Sequence, residues 1–248
     1  MKKKILITII CFGIYTHAFS QDFYFGLNTG WIKEQYTAVG NTGGLKLKME
    51  FLCPTVAFSF KTIFKNNVEV GTGIGFYTYG YNIGIPIYTN NKTSYTYSKT
   101  AAFRSLSIPI SIGYHLPLYK NKLYLNFNSA LNFDFYIPDK AEFIGNGSIN
   151  NGSDEYIYNY GTESLLHKFN VLFANQISLQ YVTNINLCIS IFGAYHAGLR
   201  DIWQSSIQYN SRKKGDYNPI YTSRGSYWHF GIELGYKLKK NNRKTQKE

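Results

Sequence analysis

The feature that most constrains this chain is the rhythm of its connections. From residue 23 onwards, eight segments alternate apolar and polar residues, and the connections between them are in turn long and short. Alternation with a period of two predicts β-strands. Long connections at one end and short turns at the other are typical of outer-membrane barrels. The sequence therefore predicts an all-β fold, an eight-stranded antiparallel up-and-down transmembrane β-barrel.

The predicted strands are the stretches in which every second residue is apolar. They cover residues 23–32, 45–64, 68–81, 103–116, 123–136, 165–181, 187–199 and 226–238. Between them lie four long connections, at 33–44, 82–102, 137–164 and 200–225. The segment from Tyr156 to Tyr160 could pair within a long outer hairpin, so the sequence leaves open a count of ten strands.

The composition suits a barrel surrounded by lipid. Charged residues make up 16% of the chain and aromatic residues 18%, as expected for a lipid-facing surface with an aromatic girdle at each interface. We assign Trp31, Trp228 and Tyr236 to these girdles. A soluble lipocalin-like barrel is the alternative, but it would place its apolar residues inside. The inward positions here carry small residues such as Gly71 and Ser111, which suit a crowded eight-stranded interior.

The N-terminus has the pattern of a secretory signal. Lysines 2–4 precede an apolar run of 11 residues at 5–15, and Ala18 and Ser20 occupy the −3 and −1 positions of a cleavage site. The alternative is a membrane anchor, but the run is shorter than the roughly 20 residues a spanning helix needs. We therefore expect a signal peptide at 1–20, a barrel at 21–238 and a basic periplasmic tail at 239–248.

The charge of the chain bears on its partners. The formal net charge is +12, and many basic residues lie in the tail. An exported barrel does not ordinarily meet nucleic acid, so we expect none as a partner. Outer-membrane lipid, and another envelope protein that contacts the tail or the outer connections, suit the charge better. Export permits disulfides, but Cys53 and Cys188 fall on non-adjacent predicted strands, and we expect two free thiols facing inward.

The strand at Ser105-Leu-Ser-Ile-Pro-Ile-Ser-Ile-Gly-Tyr-His-Leu116 is followed by a short turn and a Tyr-rich strand. In this the chain resembles the PorT-like outer-membrane β-barrel family. The resemblance implies a Gram-negative outer-membrane barrel with a signal peptide. The family's founding member is an accessory of the type IX secretion system, and most relatives look like barrels of unassigned role. This chain departs from many such barrels because Leu238 is followed by a basic tail, where those barrels end in an aromatic residue.

Four charged residues are predicted to face inward near the short-turn end: Lys61, Glu69, Glu233 and Lys237. Charges buried in a narrow lumen must pair. We therefore predict a salt-bridged plug that blocks conduction.

Chemistry is otherwise sparse. His196, His229 and Asp134 are predicted to face inward near the lumen mouth, but a serine hydrolase would need a nucleophile beside them. Gly71-Thr-Gly-Ile-Gly75 lies inside a strand and lacks the helix of a phosphate-binding loop. We expect no cofactor, no metal and no enzymatic activity.

Three functional hypotheses remain. The first is a non-enzymatic barrel that acts as a structural, binding or secretion-accessory component through loops or partners. The second is a narrow pore for small solutes, and the third a lipid-modifying enzyme.

Overall fold

The computed structural model describes residues 22–42, 46–49, 53–89, 92–120, 122–137, 146–150, 155–211 and 215–239. The predicted signal peptide, and the predicted tail beyond Lys239, lie outside these residues. The strands are β1 (Asp22–Glu34), β2 (Thr37–Val39), β3 (Lys46–Met49), β4 (Cys53–Ile63), β5 (Val68–Thr89), β6 (Lys92–Tyr119), β7 (Leu123–Ile137), β8 (Asn146–Asn150), β9 (Glu155–Leu165), β10 (Phe169–Val182), β11 (Leu187–Gly198), β12 (Trp203–Ser211), β13 (Gly215–Tyr217), β14 (Ile220–Ser223) and β15 (Tyr227–Lys239).

Eight of these strands close into a ring. The order is β1-β4-β5-β6-β7-β10-β11-β15, and β15 pairs back to β1, with every neighbour antiparallel. The predicted fold class is therefore confirmed. Following the paired residues from strand to strand once around the ring leads from Phe23 of β1 back to Lys33 of the same strand. The strand register is therefore staggered by ten residues over one circuit. Such a stagger requires strands tilted against the barrel axis, as in other closed barrels.

The two faces of the barrel wall differ in polarity. Outward side chains such as Phe58, Ile110 and Leu234 are about half exposed, whereas inward side chains such as Asn126 and Ser190 are buried. An apolar exterior around a polar interior is the reverse of a soluble lipocalin-like barrel, which the structure excludes. Trp31, Trp228 and Tyr236 are exposed on the exterior, the first two towards the long-connection end and the third towards the short-turn end. Within the described residues, no helix is long and apolar enough to cross a bilayer.

Three of the four long connections, at 33–44, 137–164 and 200–225, contribute strands to a second sheet beyond one end of the barrel. Its order is β2-β14-β12-β9-β8, and β13 also pairs with β12. The segment around Tyr156 to Tyr160 lies in β9, which pairs with β8 and β12 and not with a barrel strand. Because this extra pairing occurs outside the ring, the barrel has eight strands and not ten.

Several predicted boundaries were wrong. Residues 82–102 were assigned to a loop, but β5 and β6 continue through this region and pair as far as Thr89 and Lys92. The composition resembled a loop, yet Tyr, Thr and Ile favour strands once a partner strand is present. The predicted strand at 165–181 also began too early, since Leu165 ends β9 and the barrel strand begins at Phe169.

The two cysteines in the described residues lie far apart on the ring. Cys53 begins β4 near the long-connection end, and Cys188 lies on β11 near the short turns. Both are buried, and neither forms a disulfide.

Candidate functional site in the barrel lumen

Three of the four predicted lumen charges meet in one cluster. Lys61 of β4 points towards β15, where its Nζ lies 2.8 Å from Oε2 of Glu233. The same Nζ lies 3.9 Å from Oε1 of Glu69 on β5. Ser59 donates a hydrogen bond of 2.9 Å to the other oxygen of Glu233. One cation is thus held between two buried carboxylates, so removing it would leave uncompensated charge inside the wall.

His115 completes this cluster from β6. Its Nε2 contacts Oε2 of Glu69, the oxygen that faces away from Lys61. The imidazole is buried between the rings of Tyr24 and Tyr124, at centroid distances of 6.1 and 5.8 Å. Glu69 is fully buried; its Oε2 contacts His115, whereas its Oε1 lies near Lys61 but at 3.9 Å is too far away to accept a hydrogen bond from it. Sequence reasoning missed His115 here because the strand pairing alone does not reveal how far its ring reaches across the lumen.

Lys237 does not join the cluster. Its Nζ lies 2.7 Å from Oδ2 of Asp22 and 5.4 Å from the centre of the Tyr24 ring. This second ion pair lies nearer the short-turn end, where β1 begins and β15 ends. The sequence held a usable signal for it, because antiparallel pairing of the first and last strands places Tyr24 opposite Lys237 and so brings Asp22 close.

An apolar layer separates the two ion-pair groups. Tyr24, Ile63, Val182 and Cys188 are buried together, and Tyr124 packs against them. The short-turn end of the lumen is therefore filled by side chains from five strands of the ring.

The predicted mouth residues lie at the opposite end. Thr55 Oγ1 is 2.9 Å from Nε2 of His229, and Asn132 Nδ2 is 2.7 Å from Nδ1 of His196. The two imidazole centroids are 5.9 Å apart. Asp134 is fully buried on β7, but no contact joins it to either imidazole in the described part of the chain.

This arrangement does not assemble a hydrolase site. Thr55 and His229 could form the first pair of a nucleophile and base, but a base also needs an orienting group. No acidic side chain contacts His229 among the described residues. The same residues contain no group of three His, Cys, Asp or Glu side chains arranged to hold a metal ion.

A layer of tyrosines lies above the histidines. It consists of Tyr77, Tyr79, Tyr136 and Tyr227, all at most 8% exposed. Neighbouring rings lie 5.8 to 6.1 Å apart between centroids, within the range of favourable aromatic contacts. The Tyr227 ring also stacks on His196 at 4.2 Å. The layer fills the lumen just below the mouth, a role that the sequence analysis did not assign to these inward tyrosines.

Glu34 is the last residue of β1 and lies at the mouth, where it pairs with Tyr227 of β15. Its carboxylate accepts hydrogen bonds from Ser223 of β14 and from Tyr36, the latter at 2.7 Å. Glu34 thus links the barrel rim to the second sheet.

Between the tyrosine layer and the Lys61 cluster lies a small polar cavity. Its volume is about 100 Å³, and its lining includes Asn28, Asn128, Gln176 and His196. A volume of this size, with several polar side chains among apolar ones in its lining, suits a few water molecules. The lumen is thus a polar chamber with packed side chains above and below it.

Comparisons with known proteins reach only the level of fold. No protein-family model matches the chain, and no curated protein matches it either. The chain is similar to the N-terminal β-barrel domain of Pseudomonas aeruginosa OprF, at 10% identity over 88% of this chain and 98% of that one, with a TM-score of 0.41. It is also similar to the outer membrane protease OmpT from Escherichia coli, at 12% identity over 88% and 97% of the two chains, with a TM-score of 0.42. The β domain of the Bordetella autotransporter BrkA gives 8% identity over 88% and 99%, with a TM-score of 0.29.

Proposed function

We propose that this chain is a non-enzymatic outer-membrane barrel with a sealed lumen, which serves the cell envelope through the surfaces outside that lumen. The short turns would face the periplasm and the second sheet would face outside, as in other outer-membrane barrels. The apolar exterior and the three exposed girdle residues support this placement.

One observation carries the proposal: the lumen is filled at two levels. The tyrosine layer lies below the mouth, and the Lys61 cluster with its apolar layer lies near the short turns. Beyond the mouth, six strands form a sheet that a simple barrel would not need. A structural, binding or secretion-accessory role of the second sheet or the basic tail fits this arrangement better than transport through the lumen.

The finer version of the proposal is a role in assembly or secretion, in line with the resemblance to PorT-like barrels at residues 105–116. Residues 239–248 carry five Lys or Arg, with Lys239 and Lys240 among them, so the tail would attract an acidic partner in the periplasm.

Co-purification from native outer membranes in mild detergent tests this role. We expect the full-length chain to retain an envelope protein that is lost from a form ending at Leu238, because the tail supplies the attraction. A second form, in which the tail lysines and Arg243 become glutamine, separates charge from length. Recovery of the barrel alone from all three preparations would contradict a tail-dependent partner.

The alternative function is a narrow pore for small solutes. The polar cavity favours it, since a chamber of about 100 Å³ already lies in the lumen. A pore would require the side chains within the Lys61 cluster and within the tyrosine layer to move aside and open the lumen. This function therefore predicts measurable conductance.

A further inference from the structure

The barrel exterior carries one polar side chain out of keeping with its surroundings. Between the rims, the outward positions of the eight described barrel strands hold aliphatic, aromatic, small or hydroxyl-bearing residues and a single carboxamide, Asn175. Its neighbours two positions away on β10 are Phe173 and Ile177, both exposed to the outside. The alternation of β10 therefore presents an amide where the pattern calls for an apolar residue.

Asn175 lies at half height in the wall. It is the seventh of the 14 residues of β10, and it pairs with Ser129, the seventh of the 15 residues of β7. Strands of this length span the hydrocarbon layer with a margin at each end. The proposed membrane location therefore places this amide near the centre of the bilayer.

Ser129 and Asn175 form the polar floor of an otherwise apolar depression in the outer surface of the barrel. Ser129 donates a hydrogen bond of 2.8 Å to Oδ1 of Asn175. The depression beside them has a volume of about 480 Å³ and includes Ile112, Phe127 and Ile177 in its lining. This hydrogen-bonded pair is exposed on the outer surface and is not buried in the barrel wall.

The amide is incompletely satisfied by its own barrel. Its two N–H donors have no acceptor among the described residues, and hydrocarbon offers none. An amide left without hydrogen bonds in an apolar medium is unfavourable. A neighbouring molecule with a hydrogen-bond acceptor at the same depth would remove this penalty. Lipid acyl chains supply no such acceptor.

We propose that the face around Ser129 and Asn175 joins two copies of this chain into a twofold dimer within the membrane. Copies inserted in the same direction around an axis along the membrane normal place their Asn175 side chains at the same depth. An amide is self-complementary, and its oxygen can accept a second hydrogen bond beside that from Ser129. Each Asn175 can then donate to the other, which is the reciprocal contact that a twofold interface requires.

The inference rests on the proposed membrane location, and cysteine cross-linking in isolated outer membranes tests both separately. Ile177→Cys, which lies two positions from Asn175 on the exposed face of β10 and keeps the amide in place, is treated with a short thiol-reactive cross-linker. Phe58→Cys is the matched control, because Phe58 is exposed on β4, four strands away around the ring. The wild type, whose Cys53 and Cys188 are buried, reports any background reaction.

We expect dimers from Ile177→Cys and none above background from Phe58→Cys or the wild type. Equal dimer formation by both variants, no dimer from either, or an adduct of Ile177→Cys with a different protein would overturn the inference. Absence of the chain from the outer-membrane fraction would instead contradict the proposed location.

Asn175→Leu supplies a second measurement without cysteine chemistry. Hydrogen bonds between membrane-embedded segments are individually modest, so losing a reciprocal pair should weaken dimerisation by roughly tenfold or more. The barrel itself should stay folded, because leucine suits the lipid-facing position. A dimer of Asn175→Leu as tight as that of the wild type would contradict the role of the amide.

Discussion

Replacing Lys61 with methionine should lower the free energy of unfolding of the barrel by about 3–5 kcal/mol. The Lys61 ammonium lies 2.8 Å from a carboxylate oxygen of Glu233 and 3.9 Å from one of Glu69. Methionine is an unbranched side chain of similar length that carries no charge. Glu233 would lose its only ion-pair partner in the described residues. The measurement is a denaturant titration of the barrel refolded into lipid vesicles.

Two further variants show whether the effect comes from charge. Lys65→Met is the matched control, because Lys65 is exposed in the turn between β4 and β5, and it should leave stability nearly unchanged. Lys61→Met combined with Glu233→Gln should lose less than Lys61→Met alone, because Glu69 keeps His115 and no isolated carboxylate remains at 233. Equal losses in the single and double variants would show that the ion pair is not what stabilises this part of the lumen.

Gly30→Val should prevent stable closure of the barrel, with a loss of about 3 kcal/mol or more. Gly30 of β1 pairs with Gly231 of β15, at the seam that joins the first and last barrel strands. A Cβ at Gly30 would overlap the carbonyl oxygen of Phe230 and lie 2.9 Å from Cα of Gly231. These are backbone atoms of the neighbouring strand β15, which cannot move aside as the end of a flexible side chain could.

The mobility of the protein on an unheated SDS gel measures this closure. The wild type should migrate faster unheated than boiled, whereas Gly30→Val should lose the fast form. Gly193→Ala is the control, because a Cβ there meets only the Phe230 ring at an ordinary 3.4 Å. Retention of the fast form by Gly30→Val at wild-type stability would mean that the seam is looser than the structure indicates.

The sequence predicted the barrel well because its physical cause is local. A strand with lipid on one side and a narrow lumen on the other must alternate, so residues such as Phe127 and Asn128 reveal their own orientation. The short turns predicted in the same local way which strands are neighbours, because a short turn joins two adjacent antiparallel strands. The closure of β15 on β1 then follows from the need to satisfy every edge in lipid.

What the sequence did not predict depends on distant contacts. β5 and β6 extend beyond the barrel because they pair with each other, and a loop-like composition hid this pairing. Lys237 pairs with Asp22 and not with the Lys61 cluster, which follows from the register of β1 with β15 and not from the residue types alone. Asn175 was readable as a break in an apolar stripe, but its meaning emerges only when Ser129 lies beside it.

Single-channel recording in planar bilayers tests the central claim, that the lumen is sealed, most directly. A sealed lumen predicts no current steps above those of lipid alone for the wild type. It also predicts more frequent openings for Glu233→Gln, which weakens the attraction that holds Lys61 across the lumen. Steady wild-type conductance that Glu233→Gln leaves unchanged would contradict the sealed lumen and favour a solute pore.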